Sequence, residues 1–137
     1  MKKRIFLTLL PSLVLGIVIL PKNQAALPAD TGTETVLSTH RVKPGMENDY
    51  LKLMADNWSL LRKLDLVMDH PHLVLRGEDE PGKTYFVEVF SWKNHEAADH
   101  VPAEVWAIWN KMNASTEARG GHRGIEFPEV HVVDPLK

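Results

Sequence analysis

The spacing of hydrophobic positions changes repeatedly along this chain, and each change marks an element. Residues 35–42, TVLSTHRV, are β-prone and stop at Lys43-Pro44-Gly45, where proline cannot donate to a ladder, so they predict a first strand. From Met46 the period lengthens. Tyr50, Met54, Trp58 and Leu61 form one stripe, Leu53, Leu60 and Leu64 widen it, and Glu47, Asp49, Lys52, Asp56 and Lys63 lie mostly outside. This pattern predicts an amphipathic helix of about 20 residues. Pro71 follows it, residues 72–76 predict a short second strand, residues 77–82 a hairpin loop, and residues 84–90 a third strand.

Asn94 is a good N-cap for a second helix that buries Ala97, Val101, Val105, Ile108 or Trp109, and Met112. Pro102 interrupts it, which predicts a short first turn, a break at residues 100–102, and a longer segment from Ala103. Residues 119–124 predict a mobile loop, and residues 129–133, bounded by Pro128 and Pro135, a last strand. The order is βαββαβ. In the third strand, Tyr85, Val87 and Val89 share one face and Phe86, Glu88 and Phe90 the other, so both faces are apolar apart from one carboxylate. A sheet covered by helices on one side alternates more cleanly, so the second face calls for a second cover, most simply another copy of the chain.

Composition adds a destination. Lys2, Lys3 and Arg4 precede an apolar run over residues 5–20 that contains Pro11 and Gly16 and is short for a membrane span. Residues 1–26 therefore read as a signal peptide, residues 27–34 as a flexible leader, and residues 35–137 as the folded domain. The expected destination is periplasmic or secreted, with membrane attachment only through the first segment if it stays uncleaved. There is no cysteine, which excludes disulfides and a lipidated cysteine. Lys2, Lys3, Arg4 and Lys22 are four of the 16 basic side chains, leaving 12 against 18 acidic ones and a net charge of -6 after the signal. That balance argues against nucleic acid as a partner.

Val42-Lys43-Pro44-Gly45 opening the first helix, and Trp92-Lys93-Asn94-His95-Glu96-Ala97-Ala98-Asp99-His100 after the third strand, resemble the antibiotic biosynthesis monooxygenase-like domains of the dimeric α+β barrel superfamily. The resemblance covers residues 35–134. It implies an α+β, ferredoxin-like antiparallel sheet of order 4-1-3-2, a homodimer whose two sheets close a barrel, and a pocket between sheet and helices in each subunit. It also implies a small apolar or aromatic ligand, and chemistry without cofactor or metal in which an electron-rich, quinol-like aromatic reacts with dioxygen itself. A non-enzymatic, ligand-binding or stress-responsive barrel is the alternative, because the fold hosts both. Haem-degrading relatives use a helix histidine and a strand-one asparagine; here Ser38 and Thr39 stand near the turn, and residues 109–112 hold no histidine.

Candidate chemistry follows from parity and spacing. With strand one between strands three and four, His40, Glu88 and His131 come from neighbouring strands; a carboxylate between two imidazoles would shift all three titrations and serve as general base and proton relay, or the same residues form a buried polar pair across the dimer interface. His95 to His100 is one residue too long for a zinc-protease motif, since residues five apart lie about 140° apart around a helix. Glu96 and His100, four apart, form either a stabilising helix pair or a proton-handling one. The catalytic candidates are thus His40, Glu88 and His100; Trp92, Trp109 and His131 are the binding candidates. His70-Pro71-His72 reads as a surface turn, too poor in ligands for a metal. The sequons at Asn57 and Asn113 fall on predicted helices and are discounted.

Overall fold

The computed structural model describes residues 32–136. Its elements are β1 (Glu34–Arg41), α1 (Glu47–Lys63), β2 (Val67–Glu80), β3 (Lys83–Trp92), α2 (His95–Asp99), α3 (Ala103–Ala114) and β4 (Ile125–Glu126). The expected signal segment and most of the leader lie outside the described residues. The sheet is antiparallel with order β2-β3-β1-β4, which from the other edge is the expected 4-1-3-2.

Local chemistry accounts for the boundaries. Glu47 and Asp49 occupy the first turn of α1 and Arg62 and Lys63 its last, each charge complementing the helix dipole. Asp65, at φ 59°, turns the chain out of the helix while its carboxylate pairs with Lys93. The Asn94 side chain accepts from the Ala97 N–H at 2.8 Å and caps α2. Pro102, extended at ψ 165°, separates α2 from α3 at the expected break.

Helices α1 and α3 cover one face of the sheet. Tyr50 and Met54 of α1 pack with Val42, Phe86 and Met112, while Leu61 joins Val67, Phe90, Trp92 and Val105. The opposite face has no cover among the described residues: Leu73 and Leu75 remain 49% and 50% exposed there. The sheet itself puts Gly77 directly opposite Tyr85, and a Cβ at Gly77 would strike the Tyr85 ring. Gly77→Ala should therefore cost about 1–3 kcal/mol in chemical denaturation, whereas Tyr85→Ala in the same background should recover part of that loss.

Two expectations change in the last quarter of the chain. Residues 119–124 are clasped, not free. Arg119 donates to the carbonyls of Val42 (3.0 Å) and Thr84 (2.6 Å) and to Asp79 (2.8 Å). The last strand comes earlier than the Val-rich run at 129–133, because Arg41 holds Gly124 through its N–H (2.7 Å) and Glu126 through its guanidinium (2.8 Å), fixing Ile125 and Glu126 beside β1.

Candidate functional site

The helix-facing side of the sheet carries an unusual row of polar groups. Ser38 lies opposite Glu88, and His40 opposite Phe86, so Ser38, His40 and Glu88 all project from the face that α1 and α3 cover. All three are buried. His40 Nδ1 lies 2.6 Å from the Tyr50 hydroxyl and its Nε2 lies 2.7 Å from the Ser38 hydroxyl, so both ring nitrogens are engaged. Glu88 sits 3.9 Å from His40 Nε2 and receives a 3.0 Å hydrogen bond from His72 Nε2. The His72 ring stacks on Trp58 with centroids 3.8 Å apart and planes 6° from parallel.

The carboxylate between two imidazoles therefore exists, with a different second imidazole. His131 lies beyond β4, its side chain is 80% exposed, and it pairs with Glu129 at 3.4 Å. His72 takes the place next to Glu88, correcting the reading of residues 70–72 as a surface turn. Within β2 the alternation puts Leu73 and Leu75 outward and His72 and Val74 inward, the opposite of what hydrophobicity alone favours. The signal for His72 was Glu88 itself: a lone carboxylate on a buried strand face needs a partner on the next strand. Tyr50 belongs to the core stripe of α1, but a buried tyrosine hydroxyl also needs a partner, and here it is His40.

Burial drives the electrostatics. It lowers His40 to about 4, so the imidazole is neutral at physiological pH. It raises Glu88 above the ordinary carboxylate range, with His72 partly offsetting the effect. Tyr50 is pushed up by burial and then by the Glu88 charge, and keeps its proton. A hydroxyl, an imidazole, a second hydroxyl and a carboxyl thus form a buried run in which two tautomers of His40 are possible.

These shifts predict a pH dependence. A histidine held below its unfolded value of 6.5 leaves the unfolded state binding more protons between pH 6.5 and 4. The His40 contribution is complete above pH 6.5 and is lost as pH falls toward 4, at most about 3 kcal/mol. Glu88 acts in the opposite sense, gaining stability as pH falls toward 4.5, and shallows the decline. Urea unfolding at pH 7 and 4.5 should show a smaller acid loss for His40→Gln than for the parent chain.

The row forms the floor of a cleft of about 1490 Å³ between the sheet, α3 and the segment after β4. Trp92 and Trp109 form its wall, with ring centroids 6.4 Å apart; Trp106, 52% exposed, meets Trp109 at 5.0 Å near the rim. The Trp109 N–H donates to Asn57 Oδ1 at 2.9 Å, which orients the Asn57 amide within the cleft lining. His100 lies elsewhere. It is exposed at the end of α2, where its backbone N–H (3.1 Å) and its Nδ1 (3.0 Å) both meet the Glu96 carbonyl as the cap of the helix, and it has no bond to the Glu96 carboxylate. No group of three His, Cys, Asp or Glu among the described residues is arranged to hold a metal.

This architecture is that of a ferredoxin-like α+β domain with a cleft between sheet and helices. No family model and no curated protein matches the chain. Among solved structures, it is similar to a Caulobacter crescentus CB15 protein described as an antibiotic biosynthesis monooxygenase, at 18% identity, covering 76% of this chain and 94% of that one, TM-score 0.50. A second structure described as an antibiotic biosynthesis monooxygenase aligns at 16% identity over 72% of this chain and 98% of that one, TM-score 0.47. The chain thus has the fold of the antibiotic biosynthesis monooxygenase-like domains.

Proposed function

We propose that this chain is an exported, homodimeric monooxygenase-like protein that binds a small quinol-like aromatic in the cleft and oxidises it with dioxygen without an added cofactor. The observation that carries this reading is the placement of Glu88 and His40, buried and close together, on the floor of a tryptophan-walled cleft. Burial raises the carboxyl and lowers the imidazole, so Glu88 is the stronger base of the two. Its carboxylate takes the proton of a substrate hydroxyl. The electron-rich ring then reduces dioxygen by forming a C–O bond at a ring carbon, and Glu88 returns its proton to the outer oxygen to give a hydroperoxide; loss of that carbon's C–H proton breaks the O–O bond, leaving a ring carbonyl, and the outer oxygen departs with both protons as water. Trp92 and Trp109 supply flat apolar area for the ring. The test is oxygen uptake with a panel of hydroquinones. Turnover that survives loss of either Glu88 or His40 would remove this chemistry, while His100→Ala should leave turnover unchanged.

A binding role is the second reading, and one observation favours it: both His40 nitrogens already have protein partners, so the imidazole offers a ligand no free ring nitrogen. Absence of turnover together with a thermal shift from flat aromatics would select it.

The homodimer is supported by the half-exposed Leu73 and Leu75 on the uncovered sheet face, which a second sheet would bury. Leu73→Glu with Leu75→Glu should convert a dimer into a monomer in size-exclusion chromatography at micromolar concentration. A parent chain that already elutes as a monomer would exclude the barrel. Export is supported by Lys2, Lys3 and Arg4 before the apolar run, and N-terminal sequencing of the protein from its host would locate any cleavage.

A further inference from the structure

The β1–β4 ladder stops short. Thr39 pairs with Glu126 and His40 with Ile125, but residues 34–38 of β1 have no strand on that side among the described residues. Beyond Glu126 the chain runs without regular structure, although Val130-His131-Val132-Val133 is strongly β-prone. The open edge of β1 and this segment line the same cleft, which includes Val36 and Ser38 from one and Phe127 and Glu129 from the other. At about 1490 Å³ the cleft exceeds the ~300–1,000 Å³ of most small-molecule sites.

Continuing the observed register pairs Ser38 with Phe127, Leu37 with Pro128, Val36 with Glu129, and Thr35 with Val130. Paired residues of antiparallel strands point to the same face. Phe127 would then stand beside Ser38 on the side of the site, and Val130 would join the outer face with Thr35 and Leu37. Phe127 is 67% exposed in the open form, so closure removes apolar surface from water. One feature opposes closure. The Arg41 N–H reaches Gly124, so alternate residues of β1, Leu37 among them, direct their backbone groups toward β4. Pro128 falls opposite Leu37 and has no N–H to donate to its carbonyl.

We infer that residues 127–131 are a strap that extends β4 along the open edge of β1 and seats Phe127 over Ser38, giving the cleft an open and a closed form. The missing Pro128 donor keeps the two forms close in energy. This rests on the cleft being a ligand site and not on the oxidation chemistry, and its test needs no ligand.

The chain has no cysteine, so the strap can be trapped cleanly in the full protein. Residues in a non-hydrogen-bonded antiparallel pair have Cα atoms about 4.5 Å apart, within the range a disulfide spans. Val36→Cys with Glu129→Cys should oxidise to an intramolecular disulfide faster than Val36→Cys with Val130→Cys, whose side chains would face opposite sides. Equal rates, no disulfide, or disulfides only between two copies would overturn the strap, the last by assigning the segment to a partner chain. Adding Pro128→Val supplies the missing donor and should speed in-register closure; a slower or unchanged rate would refute the register. Oxidation should also reduce acrylamide quenching of tryptophan fluorescence, because Trp92, Trp106 and Trp109 line the cleft. Unchanged quenching would show that pairing does not close it.

Discussion

Glu88→Gln is expected to lower hydroquinone-dependent oxygen uptake by about 10²–10⁴-fold, the usual loss when a positioned general base is removed. Glutamine keeps the length and an acceptor for His72 but cannot hold a substrate proton. The same substitution should leave stability at neutral pH unchanged or slightly higher. Burial raises the folded-state pKa of Glu88, so its favourable contribution exists below pH 4.5 and is lost as pH rises through the folded value. At pH 7 the native state carries the cost of burying that carboxylate, and the amide relieves it. An oxygen electrode and urea unfolding on one preparation measure both effects. Full turnover in the variant would reject Glu88 as the base, and a collapse of stability would recast it as a structural anchor held by His72.

Arg119→Ala is expected to have the largest effect on stability, a loss of about 3 kcal/mol. The guanidinium is almost fully buried and bonds the carbonyls of Val42 and Thr84 as well as Asp79. Its removal takes a hydrogen bond from each of two carbonyls and leaves that of Val42 without a donor, while Thr84 keeps the Val42 N–H at 3.2 Å. It also removes the hydrogen bond and charge that, against the effect of burial, hold Asp79 below its ordinary value, although Arg41 remains 3.3 Å away. Because Asp79 is partly exposed, water recovers some of its loss, and the carbonyls account for most of the effect. The consequence should reach the cleft: Arg119 ties the segment before β4 to the sheet, so the variant should lose amide protection at Ile125 and Glu126 before the helices unfold. Uniform loss of protection would mean that Arg119 stabilises the whole domain without a special role at the strap.

The two helices were legible because their stripes contain large residues at helical spacing and their ends carry local signals. Asn94 caps α2, and Pro102 divides it from α3, as local chemistry alone required. Strand three was legible for a related reason, and its two apolar faces identified the sheet side that remains uncovered. The position of β4 was not legible. The Val-rich run at residues 129–133 has the stronger local preference for extended structure, yet Arg41 captures Gly124 and Glu126, and long-range hydrogen bonds set the strand there.

The site divides in the same way. His40 and Glu88 were visible as polar residues on strands with apolar neighbours, which is costly unless they have partners. Parity by itself could not choose the inward face of β2, because Leu73 and Leu75 are apolar and yet point outward, where a second copy of the chain is proposed to pack. It was therefore His72, not His131, that met Glu88. The sequence by itself determined the element order, the helix boundaries and the presence of a buried carboxylate in need of a partner, all of which depend on neighbours within a few residues. The tertiary structure alone decided which imidazole reaches that carboxylate, that Tyr50 and Ser38 engage His40, and that His100 stays outside the cleft. Those outcomes depend on strand register and on where α2 ends, and a shift of one residue in a strand reverses the face of every side chain on it.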